Sequence, residues 1–277
     1  MSKSALAEKQ ALAKHLKTVL PVAVNAAFAA GAIIKRKFGK FRSLTVKPDA
    51  SLVTEVDKQA EKAVIRVLKK RFAHDQIVGE ESGVTKSAAL HLPSAFRWHI
   101  DPLDGTTNFV HGFPMFCVSI GLEHETQGPV LGVIYHPLTQ ELYTGYRGAG
   151  AFRNKKRIAV SKTPKLEQAL LSTGFSMSKE HSFDQEIAAF GRLTRSSYAI
   201  RRTGSAALDL TMVATGQFDG FWERGLHSWD VTAALALLIE AGGHYSQFDG
   251  KDYRIGDQTL VASNKVLHKE FVSTIKE

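Results

Sequence analysis

Asp101 and Asp104 stand three residues apart in the stretch WHIDPLDGTTNFVHGFP, with Pro102 and Leu103 between them and Gly105-Thr106-Thr107-Asn108 directly after. The apolar residues leading into Asp101 put the pair at the end of an expected strand, and the Gly-Thr-Thr-Asn run opens an expected helix. Carboxylates this close repel each other unless a cation neutralises them, and Arg97 is the nearest basic residue upstream in sequence. Glu80 follows the short apolar run QIVG, and Asp230 begins the segment WDVTAALALLIEAGG, so both occupy comparable strand-end or helix-start positions. Any one of these acids taken alone could be a helix N-cap worth about 1 kcal/mol. Taken together they form an oxygen-only donor set, which suits Mg²⁺ better than zinc or copper. His99 and His111 flank the pair, but their spacing matches no zinc motif, and structural roles are expected for both.

The residues after the acids favour a phosphate. The start of a helix presents backbone N–H groups and the positive end of its dipole, and Gly105 has no side chain to keep an anion away. Carboxylates able to hold metal beside amides able to hold phosphate make a phosphoryl-transfer site. Bound metal would lower the pKa of a water that Thr106 and Glu80 orient, and a second ion would stabilise the leaving oxygen. There is no Gly-x-Ser-x-Gly elbow and no Cys-His pairing, so a serine or cysteine hydrolase is not expected.

The elements that must carry these groups are legible in outline. Helical pattern runs over residues 4–38, ending at Gly39, and a second helix is expected from Thr54 to about Phe72 with Val56, Ala60, Val64, Val67 and Leu68 on one stripe. FCVSIGLEH, PVLGVIYHP and ELYTGYR read as an antiparallel meander. From about Lys165 the pattern alternates: ALLSTGF and DGFWE as strands, a helix near Phe183 to Arg195, GSAALDLTMVATG as a helix capped by Ser205, and a closing helix from Asn264. No repeat or linker divides the 277 residues, which are read as one unit of two packed halves, about 1–160 and 161–277. The apolar stretch Val19 to Ile34 holds Asn25 at its middle and reads as a buried helix rather than a membrane or export segment. Cys117 is the single cysteine, which excludes an internal disulfide and fits a reducing compartment. The net charge of +9 indicates an anionic partner without choosing among phosphorylated metabolites, nucleic acid and membrane surface.

The motifs GEESG, WHIDPLDGTTNFVHGFP, GSAALDL and GLHSWDVTAALALLIEAGG, with LVTEVDKQAE near the start, resemble in order those of the inositol monophosphatases, including their bacterial SuhB-type members. The resemblance covers nearly the whole chain and implies a layered α-β-α-β-α fold of the inositol monophosphatase and fructose-1,6-bisphosphatase type. It further implies a Mg²⁺-dependent, lithium-sensitive, cytoplasmic phosphatase of inositol 1-phosphate or a similar small polyol phosphate, usually a homodimer, using two or three ions. By this likeness Glu80, Asp101 and the Leu103 carbonyl hold a first metal, and Asp101, Asp104 and Asp230 a second. Thr106 positions the water, the amides of Gly105 and Thr106 meet the phosphate, and Gly204, Ser205, Ala206, Glu223 and Asp230 border the substrate. Asp57, and with it Glu81, falls near a third metal, and Lys47 supplies a basic residue on an early loop. Arg224 is bulkier and more charged than the pattern leads one to expect beside Glu223, which bears on substrate preference. Histidinol phosphate and 3′-phosphoadenosine 5′-phosphate are alternative substrates.

Two rivals compete with this reading. The haloacid-dehalogenase signature Asp-x-Asp-Gly-Thr also ends in Asp-Gly-Thr, but the extra residue here should turn Asp101 to the opposite strand face from Asp104. Basic clusters at KRKFGKFR, RNKKR and RLTRSSYAIRR raise RNA or transcription-complex binding, a role some bacterial members of the resembled family have; solvated surface is the simpler expectation, and aromatic residues interleave them sparsely.

Overall fold

The structure, a computed structural model, describes residues 3–41, 43–46, 52–85, 94–175 and 183–276. Helix α1 (Lys3–Lys37) opens the chain and stops before Gly39, whose positive φ only glycine adopts cheaply. Residues Ala7–Lys37 are long and apolar enough to cross a membrane by length and composition. Their stripe of Leu12, Leu16, Val19, Ala23, Ala27, Ala30 and Ile34 is nevertheless buried in the same core as the second helix and the first sheet. Strand β1 (Leu44–Val46) pairs antiparallel with β2 (Leu52–Thr54), which delivers the chain to α2 (Glu55–Arg71). Thr54 and Asp57 form a reciprocal capping box at the start of α2.

The next elements build the larger sheet: β3 (Gln76–Gly79), β4 (Gly83–Thr85), β5 (Phe96–Asp104), the short helix α3 (Thr106–Val110), then β6 (Cys117–His124), β7 (Gly128–His136), β8 (Glu141–Tyr146), β9 (Gly150–Arg153) and β10 (Lys156–Arg157). Strand order is β10-β9-β8-β7-β6-β5-β3-β4, and every neighbour pairing is antiparallel except β3 with β5. The remainder contributes β11 (Leu170–Thr173), α4 (Phe183–Ser196), β12 (Ala199–Arg201), α5 (Ala206–Ala214), β13 (Gly220–Arg224), α6 (Ser228–Glu240), β14 (Gly243–Ser246), β15 (Thr259–Asn264) and α7 (His268–Lys276). Its sheet runs β12-β11-β13-β15-β14. The closing helix starts at His268 rather than Asn264 because Asn264 ends β15. Its side chain accepts from the Leu267 N–H at 2.8 Å and donates to Ser161 and Thr163.

Three apolar cores stack these parts into five layers. The first lies between α1, α2 and the large sheet, the second holds α5 and α6 between the two sheets, and the third lies between the smaller sheet and α4 with α7. This is the expected α-β-α-β-α arrangement. Helix α6 seats closely because Gly121 and Gly132 face each other across β6 and β7. A Cβ on Gly132 would fall 2.0 Å from the Ala233 carbonyl oxygen, and one on Gly121 would fall 2.6 Å from the Ala233 nitrogen. The main chain of α6 therefore rests on the sheet itself, which fixes the height of Asp230 one turn upstream.

The smaller sheet is tied to α7 through His268, buried with its ring nitrogens 2.8 Å from Ser263 Oγ and 2.9 Å from Ser246 Oγ. Burial, with a smaller push from His244, lowers its pKa to about 4. The unfolded chain binds a proton below about pH 6.5, whereas the folded one does so only near pH 4, so stability falls as pH drops through that window. In His268→Gln this dependence is removed. The stability gap between wild type and variant, measured by denaturant titration, is expected to shrink by up to about 3 kcal/mol on going from pH 7 to pH 4.

Candidate active site

Strand β5 carries both acids of the pair, and its pairing with β6 explains how they can act together. Asp101 lies opposite Ser119 and Asp104 opposite Cys117, with a register shift between, so three steps along β5 match two along β6. The extra residue at Pro102-Leu103 is a bulge, and it returns Asp104 to the face that Asp101 occupies. The sequence expectation that one more residue would set the acids on opposite faces is thereby overturned, because alternation holds only in a regular strand. The pair stands at the end of the strand as its apolar approach indicated, with Asp104 the last residue of β5.

Glu80 joins them through the parallel neighbour β3. Gly79 pairs with Ile100, and the Glu80 N–H donates to the Ile100 carbonyl at 3.1 Å, which sets Glu80 beside Asp101. The turn is held from below by Glu61 of α2, a buried residue that sequence reasoning missed. Its carboxylate accepts from the Glu81 N–H at 2.9 Å, and a Cβ on Gly79 would touch it at 2.5 Å. Asp230 arrives from α6, its carboxylate accepting from the His227 N–H at 2.7 Å; His227, not Asp230, is the N-cap.

The electrostatics follow from burial. Asp101 is 3% exposed, and burial followed by the charges of Glu80, Asp104 and Asp230 pushes its carboxyl well above the ordinary range. Asp104 is also raised by burial, but donors pull it back: the Ser205 hydroxyl and the Ala207 N–H at 2.9 Å from the start of α5 and, more weakly, the Cys117 thiol of β6 at 3.8 Å. Asp57 sits under Thr106. Its Oδ2 accepts from the Thr54 N–H and hydroxyl, and its Oδ1 accepts from Thr106 Oγ1 at 2.8 Å. The same Thr106 hydroxyl lies 3.0 Å from the Leu103 carbonyl oxygen. Gly105 takes a positive φ of 94°, and a Cβ there would collide with the Met115 carbonyl oxygen at 2.7 Å. Only glycine turns the chain from β5 into α3 at this point.

Above the acids opens a cleft of about 280 Å³, whose walls include Asp104, Gly204, Ser205, Ala206, Glu223 and Asp230. A larger hollow of about 800 Å³ lies elsewhere, by the β6–β7 turn and residues 252–255, away from the acids. Chemistry rather than volume selects the smaller one. Its walls also hold Asn108, Phe175, Arg202 and Asp209, of which the sequence had drawn attention only to Arg202, as part of a basic run. Asn108 bridges the Met115 and Thr203 carbonyls, so it ties α3 to the turn before α5. Asp209, alone among apolar neighbours in α5, bonds Thr203 Oγ1 at 2.6 Å, and burial pushes its pKa up to about 8. A lone acid in an apolar helix was the signal that could have found it. Arg202 lies over the Phe175 ring at 5.3 Å, while the neighbouring Arg201 is exposed and turned to its own strand. Burial, then the charges of Asp230, Asp209 and Asp104, raise Glu223 well above the usual range, with Arg202 opposing them. Arg224 does not border the cleft: it faces the other side of β13. The concern that it crowds the substrate is therefore corrected. His99 pairs with Glu123 at 2.9 Å, a structural role, and Lys47 lies outside the described residues.

Among the described residues no three acids, histidines or cysteines already form a closed cage, since Asp104 and Asp230 are turned onto backbone and hydroxyl donors. The donor set still fits a hard divalent ion. It is oxygen-only, and its two buried members are raised in pKa by burial, Asp101 further by the charges of Glu80, Asp104 and Asp230, the situation that such an ion relieves. Because the Asp101 carboxyl is raised above its unfolded value, its ionised form costs stability as pH rises toward neutral in metal-free protein. Asp101→Asn is therefore expected to raise the metal-free thermal midpoint by about 3 °C, roughly 1 kcal/mol for a chain of this size. Saturating Mg²⁺ should raise the wild-type midpoint but not that of the variant, both read by scanning calorimetry with chelator and with Mg²⁺.

The whole arrangement has counterparts. A family model described as the inositol monophosphatase family matches residues 15–277. An inositol-1-monophosphatase of Synechocystis is 41% identical, over 92% of this chain and 88% of that one. The Nus factor SuhB of Pseudomonas aeruginosa is 38% identical, over 94% and 97%. The crystal structure of the extragenic suppressor protein suhB from Bartonella henselae superposes with a TM-score of 0.86 at 35% identity, covering 93% and 98% of the two chains.

Proposed function

The chain belongs to the inositol monophosphatase family, a family of metal-dependent phosphatases, and from that membership we propose that it hydrolyses inositol 1-phosphate or a similar small phosphate ester to alcohol and phosphate. The observation that carries the reading is the burial of Asp101 among Glu80, Asp104 and Asp230, the last two of which line an open cleft. Glu80, Asp101, the Leu103 carbonyl, Asp104 and Asp230 would hold Mg²⁺, two or three ions, with Asp57 near the third. Magnesium there supplies activation of the attacking water and neutralises charge on the leaving oxygen.

The protein's own groups do the rest. The Thr106 hydroxyl donates a hydrogen bond to Asp57 or to the Leu103 carbonyl, so its lone pairs are left to accept from a water and orient it. The first N–H groups of α3 have no partner within the helix and face the position of a phosphate next to Gly105. On the far wall Gly204, Ser205 and Ala206 shape the cleft, and Glu223 accepts substrate hydroxyls as a carboxylate or donates as a carboxylic acid. Arg202 favours an anionic substrate and holds Glu223 closer to its ionised form. A cytoplasmic homodimer completes the proposal. The P. aeruginosa relative is named as a Nus factor, which supports a second, transcription-associated role beside hydrolysis. Such binding to RNA or a polymerase factor should weaken steeply with salt.

Asp104→Asn should lower kcat by about 100-fold or more with the fold intact by circular dichroism. A panel of phosphate esters assayed for kcat/KM with Mg²⁺, with and without lithium, tests the substrate: inositol 1-phosphate should rank first, and a nucleotide or histidinol phosphate ranking first would overturn that assignment. Arg202→Gln should raise KM by about 3–10-fold with kcat little changed, whereas Arg201→Gln leaves both near wild type.

A further inference from the structure

A second hollow, of about 330 Å³, lies on the outer face of the smaller sheet against α4 and α7. Arg192, Arg224 and Lys276 line it together with Gln185 and Phe248, and among the described residues no carboxylate does. Strand geometry brings Arg224 there. Phe221 belongs to the core between the sheets and Glu223 faces the catalytic cleft, whereas Trp222 belongs to the outer core and Arg224 follows it to that side. The Arg224 guanidinium lies over the Phe248 ring at 4.7 Å, and its Nε is buried with no hydrogen-bond partner among the described residues. Arg192 donates Nε and Nη2 to the Thr274 and Ile275 carbonyls at the end of α7, at 3.1 and 2.6 Å. Lys276 donates to the Asp249 carbonyl, and the Asp249 side chain pairs with Lys251 at 2.7 Å. The guanidiniums of Arg192 and Arg224 are thus held around one concavity by neutral carbonyls and an aromatic face, and Lys276 joins them while sharing the Asp249 carboxylate's field with Lys251.

A buried donor left unpaired and cations gathered in one hollow both cost free energy, and an oxyanion relieves both. The volume suits a molecule the size of a small phosphate ester. We propose that this hollow is a second anion site, separate from the catalytic acids, that takes a small phosphate-bearing molecule on Arg224, Lys276 and the free edge of Arg192.

The test is calorimetry of inorganic phosphate binding to full-length protein in chelator, against chloride at matched ionic strength. Wild type should bind phosphate in the millimolar range or tighter, and Arg224→Gln should weaken it about tenfold or more. Ala188→Glu, at an exposed position of α4 lining the same hollow, should do likewise while removing no existing bond. It therefore decides the matter if Arg224→Gln proves unstable by thermal melt. Absence of phosphate binding in wild type, displacement by chloride at equal ionic strength, or unchanged binding in a folded Ala188→Glu protein would overturn the proposal.

Discussion

Negative charge that cannot reach water is the constraint around which this chain is organised. Asp101 is buried, and its nearest charged company is Glu80, Asp104 and Asp230, all acids. In a medium of low dielectric such a group either takes up a proton or waits for a cation, and either choice has consequences for the whole fold. The protein meets the problem unevenly. Asp104 and Asp57 are quieted by hydroxyl and amide donors, whereas Asp101 accepts from the Leu103 N–H and is otherwise left to repulsion. The uncompensated acid marks where a metal ion stabilises most.

Holding four acids together takes parts from four segments of chain. The bulge in β5 puts Asp101 and Asp104 on one face, the parallel β3–β5 pairing brings Glu80, and the close seat of α6 on Gly121 and Gly132 brings Asp230. Helix α2 serves twice: Asp57 steadies Thr106, and Glu61 steadies the turn that carries Glu80. None of these supports lies on a mobile-looking tip; each is anchored by backbone hydrogen bonds or by main-chain packing, and a site that must resist its own repulsion needs that rigidity.

Strand β13 divides two chemistries. On one face Glu223 joins the acid cleft, and on the other Arg224 joins a basic hollow. Adjacent residues of opposite charge would neutralise each other in a loop, but the alternation of a strand keeps each in its own environment. The basic composition of the chain is consistent with this separation, since cations can collect on the outer layer without entering the site that needs acids.

The sequence by itself determined the family motifs, the order and kinds of most elements, and the membership of the acid cluster, because these depend on local spacing, periodicity and capping. Ser205 was readable as a cap and Gly39 as a helix stop from residue type alone. Short strands such as β1, β4, β12 and β14 were not readable, since three or four residues carry too little pattern to stand out. Only the tertiary structure decided which way each acid faces. A bulge changes the count between neighbouring strands without leaving a trace in either strand's composition, so Asp101 and Asp104 could be placed on one side only once β6 lay beside β5. Glu61, Asn108 and Asp209 stayed hidden for the same reason: their roles are contacts with segments distant in sequence, and those contacts exist only when the layers close.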